Sequence, residues 1–237
     1  RLIEAQARWA VQAGEIAMAE TALRSLATQQ PDKRIAAFDL VRYIRAQKGE
    51  AAGRDELNRM ISEAEDSFDL RLMLAQYEEE TGDQDTAYEM LRDLTLVDDV
   101  SQANRARVAL ARSVLRNGDR ETGLGIVQEA LAADPKEVEA LVIWAAHLIE
   151  EGRLDEATPY IRSGLNESPE DVRLLMLSGQ LQERLGNIDL ATDRMARAVR
   201  IRDYHPGVVE PYVQFLSRIG RDQAIETILV KANRRHP

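Results

Sequence analysis

The chain has 237 residues, a net charge of −10 and no cysteine. Without cysteine it can hold no disulfide, no thiolate metal site and no cysteine nucleophile, and its redox compartment stays open. The acidic balance and an aromatic content of 5% argue against nucleic acid, which is bound by basic surfaces and stacking platforms.

Ala, Leu, Arg and Glu dominate and β-branched runs are few, so an all-α fold is expected. No apolar run approaches the roughly 18–20 residues that cross a bilayer, so this stretch inserts into no membrane. The chain opens on Arg1, already in a helical pattern and without Met. A fragment is therefore expected, with any signal or lipid anchor upstream.

Glycine sets the organisation. Gly14, Gly49, Gly82, Gly118, Gly152, Gly186 and Gly220 are spaced by 35, 33, 36, 34, 34 and 34 residues. Each is read as the end of a first helix, where a left-handed backbone is cheapest without a Cβ. Seven helix-turn-helix units follow, over about 1–32, 33–67, 68–103, 104–137, 138–171, 172–205 and 206–237, forming one array.

The first unit carries Ala7, Gly14, Ala19 and Pro31. The second places Arg42 where a small residue is expected and is read with an enlarged turn, Gly49 to Gly53. The third runs two residues longer, through LTLVDDVSQ, and residues 61–100 carry a net charge of −11. The fourth has Leu110, Ala111, Gly118 and Ala130 before Pro135. Its Gly123-Leu124-Gly125 falls inside a second helix, so close helix packing is read there in preference to phosphate binding.

The fifth unit is the clearest, with Trp144, Ala145 and Leu148, then Gly152, Ala157, Gly164 and Pro169. The sixth repeats it with Leu175, Gly179, Gly186, Ala191 and Ala198. The last has a short turn, GRDQA, and an inserted RDYHP before it. Pro159 and Pro211 are expected near helix starts, where a missing N–H costs little. Small residues recur because two helices pack closely only where one presents little side chain. No unit covers both its faces alone, so stacking must supply the core.

This pattern resembles the tetratricopeptide repeat: large–small–large in the first helix, Gly at the turn, Ala in the second, Pro at the close. The resemblance implies an α-solenoid of about seven units, a right-handed superhelix with first helices lining its concave face. On that face it would place Tyr43, Gln76, Arg105, Val108, Arg112, Val142, Ala146, Met176 and Gln180 as partner-binding residues, with Glu79, Ile149 and Glu183 beside them. The groove would be charged toward the middle and apolar across the fifth and sixth units. The lysine–asparagine set with which some members grip a C-terminal carboxylate is absent, because Asp39, Leu72 and Val108 hold its places. An amphipathic helix or extended segment suits such a groove better. The plainer alternative is that Val142, Met176 and their neighbours only pack on adjacent helices.

The residues two before each turn glycine include Glu80, Arg116, Glu150 and Arg184, which would form an alternating ladder along the stack. The competing reading gives Arg105, Arg112, Arg116 and Arg184 to an acidic ligand. No Walker loop, HExxH or GxSxG occurs, and His147, His205 and His236 are dispersed, so no catalytic, cofactor or metal site is expected. The expected function is a protein-interaction scaffold. The alternatives are a repeat domain of a larger enzyme, such as a transferase, that presents substrates, or a self-associating structural module. The later units (LIEEGRLDEA, LQERLGNIDLATDRMARAV) resemble bacterial envelope and exopolysaccharide-system repeat proteins. That likeness suggests a periplasmic location, with the cytoplasm as alternative.

Overall fold

The computed structural model describes residues 2–29 and 33–236; Pro31, expected to close the first unit, lies outside them. The described residues form fourteen helices and no strand: α1 Leu2–Ala13, α2 Ile16–Gln29, α3 Lys33–Lys48, α4 Glu50–Glu63, α5 Phe68–Thr81, α6 Gln84–Leu94 and α7 Val100–Arg116, then α8 Arg120–Ala133, α9 Val138–Glu150, α10 Leu154–Glu167, α11 Val172–Arg184, α12 Ile188–Ile201, α13 Pro206–Arg218 and α14 Asp222–Arg235. They are the helix pairs of an α-solenoid. The chain divides into two compact units after Gly123, within α8. In the N-terminal unit each helix from α1 to α7 packs on the next, and α3 also touches α5 as α5 touches α7. In the C-terminal unit α9 to α14 follow the same order, with α9 against α11. First helices thus lie side by side.

Local chemistry explains the boundaries. All seven turn glycines have positive φ, between 68° and 96°. At six of them the following residue donates its N–H five residues back, as Asp83 does to Glu78 O (2.9 Å) and Asn187 to Gln182 O (2.8 Å). That bond satisfies a carbonyl which the helix end would otherwise leave unpaired. After Gly82 and Gly118 the next helix is capped by aspartate: Asp83 accepts from Thr86 N (3.1 Å) and Asp119 from Thr122 N (3.1 Å), satisfying orphan N–H groups. Asp171 caps α11 in the same way, accepting from Arg173 N (2.9 Å).

Gly49 is the exception, and it corrects the reading of the second unit. It is the only residue between α3 and α4, with φ 90° and ψ 177°, so the turn is shortened and not enlarged. Counting from Lys48 puts Val41 seven before the turn, Gly53 five after and Leu57 nine after. Those are the slots that Ala145, Ala157 and Ile161 hold around Gly152. Val41 and Leu57 are accordingly buried, while the Arg42 side chain is 69% exposed. Gly53, taken for a turn residue, is helical and lies under a ring: a Cβ there would come within 2.6 Å of Tyr77 Oη.

With that shift, the slot nine past the turn reads Leu23, Leu57, Leu91, Val127, Ile161 and Met195, none more than 9% exposed. Each such burial contributes about 1.5–3 kcal/mol. The small slots Ala19, Ala87, Ala157 and Ala191 are fully buried. Gly123 is small for the expected reason, since a Cβ would meet Leu115 Cγ at 2.6 Å; Gly125 faces open space. Pro159 and Pro211 sit inside α10 and α13, beyond the first turn, where each removes one helical N–H. Pro206 holds the N-terminal position expected of them. In the inserted RDYHP, Asp203 and Tyr204 take positive φ (45° and 60°), a strained way to redirect the chain.

Candidate functional site: a groove on the first helices

A groove of about 820 Å³ lies between α1, α2 and α3 in the N-terminal unit. Val11, Leu26, Ile35 and Tyr43 line it, with Arg8, Glu4, Asp39 and Arg42 among its polar residues. Ile35 is 63% exposed and Val11 44%, so the walls are apolar and open to solvent. Asp39 accepts from Arg42 Nη2 at 2.9 Å, which fixes one charged pair at the groove. A smaller hollow of about 430 Å³ shares Ile35 and continues along Phe38, Leu72, Met73 and Gln76 to Arg105.

The sequence-predicted residues distribute unevenly over this face. Tyr43 is half-buried and forms a wall of the main groove. Gln76, which is exposed, and Arg105, which is half-buried, line the hollow. Arg105 donates to Asp69 Oδ1 at 2.5 Å and lies 5.2 Å from the centre of the Phe68 ring; it is held by its own fold. Val108 is buried in α7 and supports the surface without reaching it. Arg112 is exposed.

In the C-terminal unit Val142, Ala146, Met176 and Gln180 are half-buried. Met176 packs on the cluster around Val209 and Phe215, so part of the expected apolar stretch there is interior packing. Val11, Leu26, Ile35 and Phe38 were missed in sequence. Val11 stands three before its turn, the slot of Glu79, Ile149 and Glu183, so the repeat register could have found it.

The charge ladder exists with a different register. Arg116 pairs with Glu79 at 2.5 Å, and Glu80 instead with Arg45 at 3.0 Å. Arg184 donates to the Ile149 carbonyl, and Arg218 to Glu183 at 2.8 Å. A carboxylate three before the turn, and not two, is the one an arginine of the next first helix reaches. Arg173 likewise pairs with Glu139, and burial is outweighed by its hydrogen bonds to Asp171 and Glu139, which raise its pKa. Among the described residues no group of three or more His, Asp or Glu could hold a metal ion, and no helix is long and apolar enough to cross a membrane.

Residues 108–165 match the family model of the tetratricopeptide repeat. Over 80 residues the chain is 39% identical to ALBINO3-like protein 2, chloroplastic, of Arabidopsis thaliana, covering 31% of this chain and about 15% of that protein's length. Among solved structures, MamA 41-end from Desulfovibrio magneticus RS-1 superposes with a TM-score of 0.55 at 15% identity, over 71% of this chain and 94% of that one. A MamA RS-1 double mutant gives the same values. At that identity the likeness concerns the fold, an array of paired helices. The matched segment, the glycine period and the superposed fold agree on tetratricopeptide-like helix pairs, an architecture suited in general to protein–protein interaction.

Proposed function

We propose that the groove between α1, α2 and α3 seats an apolar segment of a partner protein, an amphipathic helix or an extended stretch. One observation carries this reading: Val11 and Ile35 stay 44% and 63% exposed in a groove whose lining also includes buried Ala7, Leu23 and Ala36. Open apolar walls with charged groups at the edge fit a ligand with spaced apolar anchors and a polar back. The hollow along Phe38, Leu72 and Met73 lengthens the track for such a segment.

A phage library of random 20-residue segments, selected on the intact chain, tests the proposal. Enriched sequences should share apolar residues at helical or alternating spacing and bind Ile35→Glu at least about tenfold more weakly, roughly 1.4 kcal/mol. Binding should be unaffected by Leu190→Glu, an exposed apolar position on α12 in the other unit. Equal binding to Ile35→Glu and the unchanged chain would overturn the reading.

A further inference from the structure

In the C-terminal unit a cavity of about 370 Å³ lies between α10, α11 and α12. Arg162 of α10 lines it with Arg194 and Arg197 of α12, and no carboxylate does. Arg194 and Arg197 are half-buried, yet none of the three has an ion-pair or hydrogen-bond partner among the described residues. Elsewhere in the unit Arg153 is held by Glu156, and Arg173 by Glu139 and Asp171. Guanidinium charge drawn partly out of water without a counter-charge costs stability, and an anion in the cavity offsets that cost. Neutral donors share the lining. Ser178 of α11 is only 7% exposed, and its hydroxyl has no hydrogen-bond partner among the described residues. Gln182 accepts from Asn187 Nδ2 through Oε1 at 2.8 Å, which leaves its own amide N–H groups for an acceptor.

We propose that this cavity binds a phosphomonoester dianion, held by Arg162, Arg194 and Arg197, with Ser178 and Gln182 completing its hydrogen bonds. Charge and donor count select that chemistry. A carboxylate brings one charge and two oxygens, too few for three guanidinium forks. A phosphomonoester brings nearly two charges and three acceptor oxygens, which arginines grip in pairs of bonds. Arg194 and Arg197 stand three apart on α12, so they share one helix face, and Arg162 enters the same lining from α10. Ile161 and Leu165, also in the lining, offer an apolar seat to the carbon side of the ester. The ester can belong to a phosphorylated side chain of a partner protein or to a small molecule in solution. The cavity lies in the other unit from the first-helix groove, and the inference is independent of what binds there.

Calorimetric titration of the intact chain with the end-capped tripeptide Ala-phosphoserine-Ala tests it, beside the same peptide carrying serine or aspartate at its centre. The phosphopeptide should bind one to one, and the other two at least about tenfold more weakly. Arg194→Gln combined with Arg197→Gln should weaken phosphopeptide binding at least about tenfold. Arg221→Gln with Arg234→Gln removes the same charge from exposed positions outside the cavity and should leave binding unchanged. Ser178→Ala keeps every charge and should weaken binding a few-fold; it replaces the arginine pair if circular dichroism shows that variant unfolded. No side chain in the lining titrates between pH 5 and 8, whereas the second pKa of the phosphoryl group is about 6, so affinity should fall about tenfold from pH 7 to pH 5. Glycerol phosphate separates the two sources: weaker binding than the phosphopeptide assigns the ester to a partner's side chain, equal or tighter binding to a small molecule, and either supports the dianion site. A phosphopeptide that does not bind, an aspartate peptide that binds as well, indifference to loss of Arg194 and Arg197, or an affinity constant from pH 7 to pH 5 would defeat the proposal.

Discussion

Arg218 spans two repeats to clasp Glu183, its Nε and Nη2 donating to the two carboxylate oxygens at 2.8 and 2.9 Å. The hydrogen bond raises the arginine's pKa against the opposing effect of burial. Arg116–Glu79 and Arg45–Glu80 make the equivalent links farther up the chain. The Arg218 side chain is 55% exposed, so water and salt screen much of the attraction. Such links favour one stacking register more than they add stability, because a one-residue slip would break all of them together.

The first prediction concerns that clasp. Arg218→Ala should lower unfolding free energy by less than about 1 kcal/mol, and a double-mutant cycle with Glu183→Ala should return a coupling of similar size. Urea titration at low and high salt measures both, with the coupling shrinking as salt rises. A coupling above about 3 kcal/mol would mean the pair is structurally indispensable.

Two glycines inside helices should respond with opposite sign. A Cβ on Gly179 would fall 2.5 Å from Met195 Cγ, and the Met195 side chain is itself fully buried. Gly179→Ala should therefore destabilise by about 1–3 kcal/mol through overpacking. Nothing lies within 4 Å of a Cβ on Gly125, so Gly125→Ala should stabilise α8 by roughly 0.5–1 kcal/mol, the helix-propensity difference. Thermal melts of the two variants side by side give the comparison.

Ala191 stands five past its turn, fully buried in the cluster with Met195 and Phe215. Ala191→Trp should force that helix pair apart at a cost of about 1–3 kcal/mol or more. An unchanged melting curve would show that the slot is not the close-packed one.

The paired helices were legible because backbone conformation and small-residue packing leave residue-level marks. A turn that needs positive φ selects Gly152, and a helix crossing that tolerates no side chain selects Ala157. The second pair misled because Gly49 has positive φ without occupying the usual turn slot, so counting from it turned Val41 into Arg42. The groove was harder. Whether an apolar residue at a first-helix slot is a wall or a core member depends on what the neighbouring pair presents. Val108 is covered and Ile35 is not, yet nothing in either residue's own sequence context distinguishes them. The arginine pairs were half legible for the same reason: alternation in charge shows that a ladder forms, while side-chain reach decides which carboxylate each arginine takes.

The last prediction follows from Glu56, whose side chain is 5% exposed on α4. Burial alone would push its carboxyl up, but hydrogen bonds from Arg24 (2.7 Å) and Arg59 (2.6 Å) outweigh it and hold the pKa at about 2, below the ordinary 4.5. A carboxylate depressed on folding stabilises the native state at every pH above its unfolded value. That contribution fades as pH falls from about 4.5 to 2, where both states are protonated. Solvent around the two partly exposed arginines reduces its size to the order of 1–3 kcal/mol. Glu56→Gln keeps the shape and removes the titration, so its stability deficit against the unchanged chain should be largest at neutral pH and narrow below pH 4.5. Urea midpoints of both proteins at pH 7, 4.5 and 2.5 measure this. A deficit that stays constant across the three would show that the arginines hold Glu56 by packing and not by charge.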